Sequence, residues 1–144
     1  MKILSNRISP LTLAAFVLSF FAFSGTAAAQ DCSAITDAQI VATILDEIKG
    51  DSLLAPQISH IAVGSVNKFV KLQGWTDNKK SYDRLISIIS AIKCVKAINV
   101  NRLEETPPPA NSPLRRQSGG GCPAGDKPCG DICIPEGDSC NGAG

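Results

Sequence analysis

The chain reads as an α+β protein: a small αββαβ domain with a three-stranded mixed sheet and two helices on one face, followed by a disulfide-rich irregular tail. Two helical periodicities bracket a pair of alternating strands between Asp37 and Leu103, and a third apolar strand follows the second helix. Six cysteines are distributed asymmetrically, four of them in the last 23 residues. A folded region of about 70 residues buries only roughly 60% of its unfolded surface, so cross-links are expected to share the work of stabilising it.

The first helix is expected from about Asp37 to Lys49. Thr36 or Asp37 can cap it, Gln39 completes a capping pattern with Thr36, and Gly50 ends it. Ile40, Ile44, Leu45 and Ile48 form its apolar stripe, while Asp46, Glu47 and Lys49 face away. Residues 51–57 read as a loop held by Pro56. Ile58 to Val63 then reads as a strand and Phe69 to Thr76 as its hairpin partner, with Gly64-Ser65 and Asn67-Lys68 supplying the turn chemistry. In the second strand Val70 and Leu72 point one way and Phe69, Lys71, Gln73 and Trp75 the other.

The second helix is expected from about Asn78 to Ile92, capped by Asp77, with Tyr82, Leu85, Ile86, Ile89 and Ile92 on one face. Val95 to Leu103 is the last strand. Ile98 and Val100 face the core there, and Asn99 and Asn101 fall on the opposite face with Ala97 and Leu103.

The domain organisation follows from composition. Residues 1–29 have the form of a signal peptide: Lys2 and Arg7, an apolar run from Leu11 to Phe23, and Ala27-Ala28-Ala29 before Gln30. The run is shorter than the roughly 20 apolar residues needed to span a bilayer. Residues 30–105 form the folded domain. Residues 106–121 carry Pro107-Pro108-Pro109, Arg115-Arg116 and three consecutive glycines, and read as a linker. Residues 122–144 form the cysteine-rich tail.

Removing the first 29 residues leaves 12 basic against 13 acidic side chains. That balance argues against nucleic acid as a partner, because such domains are strongly basic. An even number of cysteines in an exported chain reads as disulfides. The tail spacing C-x6-C-x3-C-x6-C is not a paired zinc signature. The crossed pairing Cys122–Cys133 with Cys129–Cys140 is favoured, with the ladder Cys122–Cys129 and Cys133–Cys140 as the alternative.

From about Thr36 to Glu105 the sequence resembles the BON domain family of bacterial envelope proteins. The resemblance rests on Val70-Lys71-Leu72-Gln73-Gly74, on the polar opening of the second helix, and on Lys93-Cys94-Val95-Lys96-Ala97-Ile98-Asn99-Val100. It implies an αββαβ domain in the periplasm or attached to the outer membrane that contacts phospholipid or the cell envelope and is linked to envelope stress; the signal peptide leaves a secreted location as the alternative. This chain has one copy rather than two. Its hairpin turn lacks the usual Asn-Gly or Asp-Gly, and Cys94 stands where the family usually has glycine. In the implied topology the start of the first helix lies near the end of the second, so a Cys32–Cys94 disulfide is expected, closing a loop of about 60 residues.

Pro128-Cys129-Gly130-Asp131-Ile132-Cys133-Ile134-Pro135 also resembles a fragment of an LDL-receptor class A module, without that module's calcium-holding acidic cluster. Asp126, Asp131, Glu136 and Asp138 do not form a ligand pattern, so no metal and no cofactor are expected. His60 is the only histidine and has no acidic or cysteine neighbour at a useful spacing, so no catalytic centre is expected.

Two contact surfaces follow. Phe69, Lys71, Gln73 and Trp75, with Asn99, Asn101 and His60, are expected on the sheet face left open by the helices. There they would serve an envelope protein partner together with the tail. Lys79, Lys80 and Arg84 at the start of the second helix form the candidate patch for anionic phospholipid. They stand at the positive end of the helix dipole, an unfavourable position unless an anion binds there.

Overall fold

The computed structural model describes residues 31–116 and 121–143. The expected signal peptide lies outside them. Asp31–Gly144 forms one compact unit, in the order α1 (Asp37–Gly50), β1 (Ile61–Val66), β2 (Phe69–Trp75), α2 (Lys79–Ala91), β3 (Ala97–Glu104), β4 (Asp126–Cys129), β5 (Ile132–Pro135) and β6 (Gly142–Ala143). The fold is α+β, as the sequence implies. β1 and β2 are antiparallel, and β3 adds to β2 in parallel after the α2 crossover. Ile40, Ile44 and Ile48 of α1 and Leu85 and Ile89 of α2 pack on Val63, Val70, Leu72 and Leu103, all buried.

Local chemistry explains where the elements begin. Thr36 caps α1 in a full capping box: its hydroxyl accepts from the Gln39 amide, and the Gln39 side chain accepts from the Thr36 amide. For α2 the cap is Asn78, not the expected Asp77; Asn78 Oδ1 accepts from the Ser81 amide at 3.0 Å.

The first strand also starts later than expected. Ala55–His60 is a 3₁₀ helix with Pro56 in its first turn, and β1 begins at Ile61. Buried Gln57 holds this segment. Its Nε2 donates to the Leu53 carbonyl at 2.8 Å and to Ser81 Oγ at 3.0 Å, and its Oε1 accepts from the Asp77 amide at 2.8 Å. Gly64-Ser65 therefore lies inside β1, leaving Asn67-Lys68 as the turn.

A register shift in the β2–β3 ladder adds one residue on the β3 side between Lys71 and Gln73. The shift reverses the expected facing of the end of β3. Leu103 pairs with Gly74 and joins the helix-side core, while Arg102 turns toward the tail.

The tail departs most from expectation. It is not irregular: β4 and β5 form an antiparallel hairpin, and the two residues of β6 pair in parallel with β1, giving a sheet of order β3-β2-β1-β6. Nor does it stand apart from the domain beyond a linker. Ile132, Ile134 and Cys129 pack against Ala62 and Trp75 on the sheet face away from the helices. Cys122–Cys133 and Cys129–Cys140 are bonded in the crossed arrangement, and Cys32 is bonded to Cys94 across a Cα–Cα distance of 5.5 Å.

Candidate functional site: the hairpin tip and the covered sheet face

β1 and β2 are joined by two residues, Asn67 and Lys68, with φ of 52° and 68°. Both lie in the left-handed region that the twist of a two-residue hairpin demands. Lysine is disfavoured there, and Asp37 compensates. Its carboxylate accepts from the amides of Asn67 at 2.8 Å and Lys68 at 2.7 Å, and from Ser65 Oγ at 2.5 Å. The hydrogen bond from Ser65, then that from the Lys68 amide, holds the Asp37 carboxyl below its ordinary pKa. One acidic residue in the first turn of α1 therefore fixes the tip of a hairpin.

The tip carries Val66 and Phe69, each 53% exposed, the only large exposed hydrophobic side chains among the described residues. Cations surround them. Lys68 Nζ donates to the Cys32 carbonyl, Lys96 Nζ stands 5.6 Å from the Phe69 ring centroid, and the Lys96 amide donates to the Lys68 carbonyl at 2.9 Å. Cys94, whose bond to Cys32 closes this end, has φ of 71°.

The sheet face expected to be open is largely covered, which corrects the expected binding face at two of its six residues. Gln73 and Trp75 are each 3% exposed. Trp75 lies between His60, stacked at 4.8 Å and 22°, and the Arg115 guanidinium, 5.0 Å from its ring. The Asp131 amide donates to the Ser59 carbonyl, and Asn141 Oδ1 accepts from the Val63 amide. Arg102 pairs with Asp126 at 3.5 Å. His60 does have an acidic neighbour, since its Nε2 lies 3.6 Å from Asp131 Oδ2. Phe69, Asn99 and Asn101 remain exposed, while Lys71 is half-buried and bonded to Asp138 at 2.5 Å.

The expected lipid patch is exposed but mostly neutralised. Lys79 pairs with Asp83 at 2.8 Å and Glu105 at 3.8 Å, and Arg84 Nε with Asp51 Oδ2 at 2.7 Å. The Asp83 hydrogen bond raises the Lys79 pKa, and the Arg84 hydrogen bond lowers that of Asp51. Only Lys80 of the three has no ion pair among those described.

Among the described residues no group of three or more histidine, cysteine or acidic side chains could hold a metal ion, and no helix is long and apolar enough to cross a membrane. No family model and no curated protein matches the chain.

Sequence reasoning missed the hairpin tip because it assigned the turn partly to Gly64-Ser65. The signal was present in the spacing: a two-residue Asn67-Lys68 loop places Val66 directly opposite Phe69.

Proposed function

We propose that this is a non-enzymatic, BON-like module of the bacterial periplasm that contacts phospholipid surfaces of the cell envelope through its hairpin tip. The observation that carries the reading is the exposure of Val66 and Phe69 beside Lys68 and Lys96. Apolar side chains enter the acyl boundary while neighbouring ammonium groups meet anionic head groups, each worth about 1 kcal/mol near the surface. Cations here are held by backbone oxygen and an aromatic ring, whereas Lys79 and Arg84 of α2 are paired with carboxylates.

Two further features support the reading. Three disulfides belong to an oxidising compartment. The left-handed φ of Cys94 explains why a related sequence would carry glycine at that position.

The protein-partner alternative rests on what remains exposed of the sheet face, Phe69, Asn99 and Asn101, with the outer side of the tail.

Co-sedimentation with vesicles of phosphatidylglycerol and phosphatidylethanolamine tests the proposal. Val66→Asp with Phe69→Asp should weaken retention by about tenfold or more, and Lys80→Ala should leave it nearly unchanged. Wild-type protein that stays in the supernatant, or a double variant that sediments like wild type, would refute the lipid reading. Because Trp75 is buried under the tail, its emission would not report contact at the tip.

A further inference from the structure

Domain and tail together form a cleft that neither has alone. It encloses about 250 Å³. Val66, Phe69 and Lys71 of the sheet stand on one side, the tail turn Gly137–Ser139 on the other, and Asn99 and Gln73 complete it. The Cys129–Cys140 bond and the bond from the Val63 amide to Asn141 fasten the turn on its C-terminal side. Lys71 and Gln73 hold it from below: Lys71 Nζ and Gln73 Nε2 both donate to Asp138 Oδ2, at 2.5 and 3.0 Å.

The polar groups at this junction are incompletely used. Gln73 is 3% exposed, yet its Oε1 has no hydrogen-bond partner among the described residues. Buried polar atoms are seldom left so. Lys71 has three donors, of which Asp138 takes one. Asn99 uses its Oδ1 on the Asn101 amide, which leaves its side-chain N–H groups to donate.

Charge decides the ligand class. Lys71 and Asp138, the one cation and the one anion lining the cleft, are paired with each other, so neither lining charge is left over to hold an ionic ligand. A neutral ligand with hydroxyl or amide groups along its rim and one apolar C–H face fits instead, its face against Phe69 and Val66.

We propose that the cleft between the hairpin and the tail turn binds a neutral sugar ring, with Phe69 as the stacking surface and Lys71, Asp138 and Asn99 as hydrogen-bonding groups. The role of the tail is then to complete this site. The cleft shares Val66 and Phe69 with the lipid-contacting tip, so the two readings are separated at Asp138 and Asn99, which belong to the cleft alone.

The test is an amide NMR titration of the oxidised Asp31–Gly144 unit with N,N′-diacetylchitobiose and with maltose. At least one sugar should give saturable shifts at Gly64, Lys71, Asn99 and Gly137–Ser139, with a Kd in the millimolar range. Asp138→Asn should weaken that binding about fivefold, and so should Asn99→Ala if Asp138→Asn disturbs the tail. Either variant should retain vesicle binding. Retention on chitin or amylose beads would identify a polymer as the source of the ring, and binding of the disaccharide alone would identify a free sugar. Absence of saturable shifts with both sugars up to about 50 mM, well beyond millimolar affinity, would overturn the proposal. So would shifts confined to residues outside the cleft, or variants that bind as well as wild type.

Discussion

On the helix side of the sheet, twelve buried apolar side chains form one continuous cluster from Ile40 to Leu103, without a disulfide inside it. On the tail side the corresponding cluster has five members, Ala62, Trp75, Cys129, Ile132 and Ile134. What the second layer lacks in apolar area it makes up with two disulfides, the His60–Trp75–Arg115 stack and the pairs Lys71–Asp138 and Arg102–Asp126. A single sheet is thus covered on one face by ordinary burial and on the other by a cross-linked strap. A segment too polar to fold alone can still complete a core when covalent loops reduce the entropy it must lose.

The largest effect should come from the helix side. Ile44→Ala empties a fully buried site and should cost about 3–5 kcal/mol, seen as a lower denaturation midpoint by far-ultraviolet circular dichroism. Ile132→Ala, equally buried, should instead release the tail first: Trp75 emission should shift red at lower denaturant than the loss of helix signal. Coincident transitions for both probes would make the two faces one cooperative unit.

Disulfide removal should follow loop length. Replacing Cys32 and Cys94, which are 62 residues apart, should cost about 4 kcal/mol, and replacing Cys122 and Cys133, 11 apart, about 3 kcal/mol. The left-handed Cys94 sharpens this. Cys32→Ala with Cys94→Gly should be about 1 kcal/mol more stable than Cys32→Ala with Cys94→Ala, since only glycine adopts that φ without penalty. Equal midpoints for the two double variants would discount the conformational argument.

Two tail glycines separate strain from contact. Gly130→Ala would place a Cβ 2.5 Å from the Ser59 carbonyl oxygen that anchors the tail, whereas Gly125→Ala meets nothing within 4 Å. Both have positive φ, so Gly125→Ala should cost about 1 kcal/mol and Gly130→Ala about 2 kcal/mol or more. Thermal melts followed through Trp75 would rank them.

The smallest effect concerns acid. The Asp37 pKa is lowered in the folded protein, so its contribution to stability is complete above the ordinary carboxylate range and is lost as pH falls through the folded value. Asp37→Asn should therefore be less stable than wild type at pH 7, and the gap should close toward about pH 3 or below. A gap independent of pH would mean that the amide replaces the carboxylate in full.

Both helices and the second strand were legible because their signals are local: Ile40, Ile44 and Ile48 repeat at helical spacing. Cys32–Cys94 followed instead from the implied topology, and the tail spacing favoured the crossed pairing over the ladder without excluding it. The covered face was less legible. Gln73 and Trp75 alternate with Val70 and Leu72, a pattern that marks a two-sided strand without saying what lies beyond its second side. A clue stood in the neighbouring strand. Ile61-Ala62-Val63 is apolar on both faces, as strands buried on both sides are, and Ile132 and Ile134 have the spacing to meet it. The extra residue in β3 and the bonds of Gln57 to Ser81 and Asp77 leave no periodic trace, since each depends on partners far away in the chain.

The pairing of Gly142–Ala143 with Gly64–Ser65 also bears on how copies of this protein treat one another. An uncovered strand edge is a template on which a second chain can add, and β1 would otherwise present one beside a largely apolar face. By laying its own distant segment along that edge, the molecule occupies the position that a neighbour would take. Loss of the strap would then register as self-association in concentrated solution, even where the helices persist.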